Sequence, residues 1–271
     1  MRIVLATSLL LALPALIAPP ALAGEGGAQE NTSERFWLRV GAFAVNKRKV
    51  DVRLDSSSGI GIGIDFTDVL GLKESRVVPR VQGLYMFKPK HGISFDWFEL
   101  DTSGSKTIGR EITFGDETFF VGTNVDSLFN LEILKAAYNY RALASDKMVV
   151  GLAAGLYLAD LDVGIQSSQS GQSENASGTA PLPVLGLRFG AKFAQRWYFI
   201  TGINFFFLEI DKYRGAMTDF TIGVEHRTFK NVGFGLGWNR FALDLRAEDD
   251  NLKGQFQNIF SGWLLSTSVY Y

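Results

Sequence analysis

What most constrains this 271-residue chain is an alternation of apolar and polar residues with period two, repeated from Arg35 to the final Tyr271. Neighbouring side chains of a β-strand point to opposite faces, so such segments specify strands whose two faces meet different surroundings. In one segment Leu185, Leu187, Phe189 and Phe193 alternate with Gly186, Arg188, Gly190 and Lys192. In others Phe220, Ile222 and Val224 alternate with Thr221, Gly223, Glu225 and Arg227, and Phe234, Leu236 and Trp238 oppose Gly235, Gly237 and Asn239. One face is aliphatic and aromatic, and the other carries Gly, Ser, Asn and charge. A wall with lipid outside and a polar lumen inside requires this pattern strand after strand. After residue 23 no apolar run approaches the ~20 residues that a membrane-spanning helix needs.

The first residues are a targeting segment. Arg2 precedes a nearly unbroken apolar run from Ile3 to Ile17, Pro19 and Pro20 break it, and Ala21-Leu22-Ala23 supplies a small-x-small cleavage site. Residues 1–23 are therefore expected to be a signal peptide for Sec export. Residues 24–34 are expected to be a flexible periplasmic lead-in, and residues 35–271 one outer-membrane β-barrel domain. The formal charge is −1, or −2 once Arg2 leaves with the leader, so there is no basic footprint for nucleic acid. With no Cys, a disulfide-stapled scaffold is excluded, and so is a lipoprotein anchor.

Connection lengths orient the strands. Pro89-Lys90, Ala144 to Lys147, Ala194-Gln195 and Lys230-Asn231 are short, whereas Gln166 to Ala180 is long and Ser-rich. Outer-membrane barrels have short periplasmic turns and long outer loops. The expected fold is all-β: an antiparallel up-and-down transmembrane barrel of ten strands. Val50 to Phe66 and Lys106 to Val121 form outward hairpins. Twelve strands is the alternative count, if Ile60, Ile62, Ile64 and Phe66 belong to a spanning strand. Asn130 and Glu132 differ in parity from Lys135, Asn139 and Arg141, which implies a β-bulge near Ile133 and Leu134.

The last strand carries Ile259, Trp263, Leu265, Val269 and a terminal Tyr271 on one side. A terminal aromatic preceded by alternate apolar residues resembles the sorting and assembly signal of Gram-negative outer-membrane barrels. As architecture, the chain resembles the small OmpA/OmpW-type superfamily. That resemblance implies outer-membrane lipid, lipopolysaccharide and the barrel-assembly machinery as partners. It implies no activity.

Little in the sequence suggests chemistry. Gly59-x-Gly61-x-Gly63 alternates with isoleucines in a strand-like run, unlike a dinucleotide loop between strand and helix. His91 and His226 are the only histidines, and His91 and Ser94 fall on opposite faces of a strand. Asp160 and Asp162, with Asp65 and Asp68, lack the dense acidic spacing of a calcium loop. Asn31-Thr-Ser and Asn175-Ala-Ser match a glycosylation pattern only by chance in an exported bacterial chain. No catalytic residue, metal or cofactor is expected.

The lumen is expected to hold Arg39, Arg76, Arg80, Asp96, Glu132, Lys135, Arg188, Lys192, Glu225, Arg227 and Arg240, paired into a plug. Arg188 and Lys192 lie one strand away from Glu225 and Arg227. Trp37, Tyr85, Trp97, Tyr140, Trp197, Tyr198, Trp238, Trp263 and Tyr271 are expected as interface anchors. The function expected is a non-enzymatic barrel with an envelope-structural or surface-interaction role. A narrow solute channel and a lipid-modifying or proteolytic barrel are the alternatives.

Overall fold

The computed structural model describes residues 35–54, 64–72, 76–249 and 252–271. The leader, the lead-in, Asn31 and the Gly59-x-Gly61-x-Gly63 run lie outside the described residues.

The strands, in chain order, are β1 (Phe36–Leu54), β2 (Ile64–Asp65), β3 (Arg76–Lys88), β4 (His91–Thr107), β5 (Ile112–Phe114), β6 (Glu117–Phe119), β7 (Asn124–Ala144), β8 (Met148–Ser167), β9 (Ser173–Ala194), β10 (Trp197–Ile210), β11 (Tyr213–His226), β12 (Val232–Asp249) and β13 (Leu252–Tyr270). Ten long strands pair antiparallel with their sequence neighbours, and β1 pairs with β13 from Trp37↔Tyr270 to Leu54↔Gly254, closing the barrel. The ten-strand count holds. The twelve-strand alternative fails because β1 pairs directly with both β13 and β3, and among the described residues Ile64 and Asp65 pair only with Val52 and Asp51 at the outer end of β1.

Strand length sets the shape. A tilted spanning strand needs about 9–11 residues, yet β7 has 21 and β9 has 22. At roughly 3.3 Å per residue β7 is about 70 Å long, so its outer half stands clear of the bilayer. Gln166 to Ala180 is therefore not a long loop. Both strands run on, with Ser167↔Val125 on one side and Gln166↔Ser173 on the other, and the connection is a short turn around Gly171 (φ 74°).

The wall inverts its polarity along its height. Toward the periplasm, Ile93, Phe95, Leu134, Leu152, Leu185 and Leu236 point outward and are exposed, as a lipid belt requires. Further out on the same strands, Asp101, Glu132, Asp160, Asp162 and Arg240 take those outward positions. Inside, the order is reversed: charged and amide side chains occupy the membrane half, and Phe129, Leu131, Ile133, Val163, Leu243 and Phe256 fill the outer half. The outer half is thus built like a water-soluble barrel on an apolar core.

This inversion replaces the expected bulge. The registers run through Phe98↔Ile133, Trp97↔Leu134 and Ile133↔Ala159 without a shift, and the irregularity lies instead at Arg141/Leu143. On β7 the odd residues face inward from Val125 as far as Arg141. They change from apolar to polar where the outside changes from water to lipid.

The outer mouth is covered by the β5–β6 hairpin, within the expected Lys106 to Val121 segment. Its Ile112, Phe114 and Phe119 are buried, and Phe114 meets Phe66 edge to face at 5.9 Å.

The wall also has an open seam between β9 and β10. β9 and β10 pair only as far as Leu185↔Phe205. Pro181 and Pro183, the next residues of that parity, have no N–H to donate, while pairing with β8 continues through both (Leu158↔Pro181, Leu156↔Pro183). Proline is confined to strand edges for this reason.

Candidate functional site: a polar chamber in the membrane half

Four side chains from separate strands form the centre of the chamber. Arg80 of β3 donates to Asp96 of β4 through Nε (2.9 Å) and Nη2 (2.6 Å), and Nη2 also reaches Asp219 of β11 at 3.3 Å. Asp219 further accepts from Tyr157 (2.8 Å) and Asn239 (2.7 Å), and Gln82 donates to Asp96 (2.9 Å). Arg80, Asp96, Asp219 and Asn239 are all buried. An ion pair removed from water needs this saturation, because each ion otherwise bears a desolvation penalty of several kcal/mol.

A second cluster lies nearer the periplasm. Glu225 accepts from Arg39 Nη2 (3.0 Å), from Ser268 (2.9 Å) and from the Tyr270 hydroxyl. Arg227 lies over the Tyr198 and Tyr270 rings, with centroids 4.2 and 4.1 Å away. Both clusters line one cavity of about 260 Å³, which reaches Trp37, Met86 and Arg141 at the periplasmic ends of their strands. The inward Gly151, Gly190 and Gly202 contribute no side chain and leave this space open. Outward of the chamber, the Phe98, Phe241 and Phe260 rings lie within 5.9 Å of one another centre to centre and form an apolar layer.

Several sequence expectations are corrected here. Arg39, Arg80, Asp96, Lys135, Arg188, Lys192, Glu225 and Arg227 share the inward parity of their strands, as expected. Glu132 instead points outward and accepts from Trp97 Nε1 (2.8 Å). Arg240 is exposed on the outer wall, and Arg76 is exposed at a strand end beside Asp101 (3.8 Å). Arg188 does not pair with Glu225. It reaches across to Ser94 Oγ (3.3 Å), while Glu225 takes Arg39 across the β1–β13 closure. Trp37 and Tyr198 line the chamber instead of anchoring the barrel in lipid, because their parity is inward. The sequence did not single out Asp219, although it shares parity with the inward Thr221, Gly223 and Glu225, whereas Asn239, read on the polar face of its strand, does meet it there.

The histidines stand apart from the chamber centre. His91, at the start of β4, contacts the Tyr138 hydroxyl, and His226, at the end of β11, packs on Trp197 (4.8 Å) and contacts Thr228 Oγ1 (3.0 Å). Asp65 is held locally, accepting from the backbone N–H groups of Thr67 and Asp68. Among the described residues no group of three or more His, Asp or Glu could hold a metal ion.

No protein-family model matches the sequence, and no curated protein matches it. Solved structures resemble it in fold. The outer-membrane protease OmpT from Escherichia coli superposes with a TM-score of 0.55 at 9% identity, covering 89% of this chain and 98% of that one. Neisserial surface protein A (NspA) gives 0.32 at 14% identity, over 87% and 97% of the two chains. Ail, the attachment invasion locus protein of Yersinia pestis, gives 0.32 at 10% identity, over 85% and 98%. With its lipid belt and closed strand order, the chain has the fold of a Gram-negative outer-membrane β-barrel.

Proposed function

We propose that this chain is a non-enzymatic outer-membrane barrel with a sealed lumen, whose outer half serves surface interaction or envelope structure. The observation that carries this reading is the double closure of the lumen. The Arg80–Asp96–Asp219 cluster lies across the membrane half, and the Phe98, Phe241 and Phe260 rings lie outward of it. An aqueous path would have to break both. The tall outer half, with its polar exterior, presents paired strands to the medium where a long Ser-rich connection, Gln166 to Ala180, was expected. A non-catalytic role is further supported by the two histidines, which sit at the periplasmic ends of β4 and β11 and are not among the residues lining the polar chamber. Reconstitution into a planar bilayer is expected to give no conductance steps, and steady unitary steps from the wild type would move the protein to the channel class. Surface-displayed lipid or peptide hydrolysis that disappears in a His91→Ala, His226→Ala double variant would move it to the enzymes.

A second reading, capture of a small apolar molecule in the outer half, is favoured by one feature. Behind the open β9–β10 seam lies a cavity of about 450 Å³, bounded by Leu182, Phe206, Leu243 and Leu245, with Phe205 and Phe207 exposed on the outer wall beside it. Ligand pockets commonly hold about 300–1,000 Å³. Saturable uptake of an aromatic hydrocarbon that an Ala180→Trp variant loses would establish this reading, and uptake unchanged in that variant would dismiss it.

A further inference from the structure

The charges lining the membrane-half chamber do not balance. Six of its charged side chains are cationic and three are anionic, namely Asp96, Asp219 and Glu225. The three acids are already engaged: Asp96 and Asp219 with Arg80, and Glu225 with Arg39. Lys135 and Arg188 are left to neutral acceptors. Lys135, 2% exposed, donates to Asn204 Oδ1 at 2.8 Å, and Arg188 donates to Ser94 Oγ at 3.3 Å.

Both side chains line the same cavity, and the structure joins them through neighbouring residues. Asn204 of β10 sits two residues from Gly202, the register partner of Arg188, and Ser94 is the partner of Ala137, two residues from Lys135. The wall around them is encased in lipid, where a charged side chain without a counter-charge is costly and is accommodated by pairing or water. A neutral acceptor leaves the net positive charge in place. The remaining guanidinium donors of Arg188 form a planar fork suited to two oxygens of one anion.

We infer that the chamber is a binding site for a small soluble oxyanion, a phosphate or a short carboxylate, held between Arg188 and Lys135. The anion comes from the periplasm, because the lining reaches the periplasmic strand ends and the phenyl layer closes the other side. A lipid head group is separated from the site by the barrel wall. Arg80 is excluded from the site by its own carboxylates, and so acts as a fixed positive wall. The inference is independent of the role proposed for the outer half, and holds equally for a barrel that adheres, binds apolar molecules or has only a structural part.

The test uses the full mature barrel, purified in a non-ionic detergent and freed of phosphate. Inorganic phosphate titrated calorimetrically at constant ionic strength is expected to bind saturably at one site. The Arg188→Gln, Lys135→Gln double variant is expected to bind at least about tenfold more weakly. That variant should also show a higher unfolding midpoint than the wild type in phosphate-free buffer, and no further rise when phosphate is added. A residue pair with a purely structural role would lower the midpoint instead. Should the variant not fold, selenate soaked into wild-type crystals answers the question directly: an anomalous peak between Arg188 and Lys135 supports the site. Absence of that peak, heat changes that follow ionic strength alone, or equal phosphate binding by the variant would each overturn it.

Discussion

Arg80 and Asp219 lie 139 residues apart, on strands that never pair, yet meet inside the barrel at 3.3 Å with both side chains 2% exposed. The contact spans the lumen and does not run along the sheet, so it exists only once β1 and β13 have closed the wall. It joins the two halves of the chain.

Removing one partner should therefore reveal the pair's cost. Asp219→Ala leaves Arg80 with Asp96 alone, deprives Tyr157 of its acceptor and removes one of the three acceptors of Asn239. Breaking a buried pair typically destabilises by about 3–5 kcal/mol. The expected result is a clear fall in the temperature at which the compact barrel unfolds on semi-native gels. A change no larger than a water-exposed pair would give, about 0–1 kcal/mol, would show that the chamber is wetter than its geometry indicates.

Glu225→Ala tests the second cluster and the seal separately. Its loss takes the counter-charge from Arg39, which keeps only Ser268 Oγ as acceptor, and the hydroxyl acceptor from Tyr270, so the unfolding midpoint should drop. The Phe98, Phe241 and Phe260 layer is untouched, so bilayer conductance should stay near zero. A stable and freely conducting variant, alongside a conducting wild type, would contradict the sealed lumen.

The outer hairpin should respond to pH through Glu174. Partial burial raises its pKa above the ordinary 4.5, and Asp116 and Glu117 add to the shift. An acid whose folded pKa is raised costs stability when charged. The cost is present above the folded pKa and fades as pH falls through it towards the unfolded value. The contact between β9 and the β5–β6 hairpin should thus tighten as pH falls through the raised pKa, with the gain complete by the ordinary carboxylate value. Hydrogen exchange across residues 108–123, corrected for intrinsic rates, should slow on acidification. Glu174→Gln should remove most of that difference, and an unchanged pH profile in the variant would assign the effect elsewhere.

Orientation is open to a direct check. An epitope inserted at Gly171 falls in the turn that joins the outer ends of β8 and β9, where its backbone is left-handed and its side is open. It should be labelled on intact cells. Labelling only after permeabilisation would invert the barrel.

The sequence by itself determined the strands, their inward and outward faces, the ten-strand count and the side on which the short turns lie. These are local properties: period two is written residue by residue, and a one-residue slip would turn lipid-facing leucines into the lumen. For that reason Leu185, Arg188, Ile222 and Glu225 were each assigned to the right face. The same local reading mistook Glu132 and Arg240 for lumen residues and Gln166 to Ala180 for a loop, because it took charge to mean inside and polarity to mean unpaired. Both inferences hold only within the membrane. Strands longer than the bilayer is thick carry the wall into water, where the polarity of each face reverses. Tertiary structure alone decided which charges meet. Arg39 finds Glu225 across 186 residues of sequence, and Arg188 is left facing Ser94. The partner of an inward side chain is fixed by closure of the barrel and by strand stagger across the lumen, and neither is a property of any single strand.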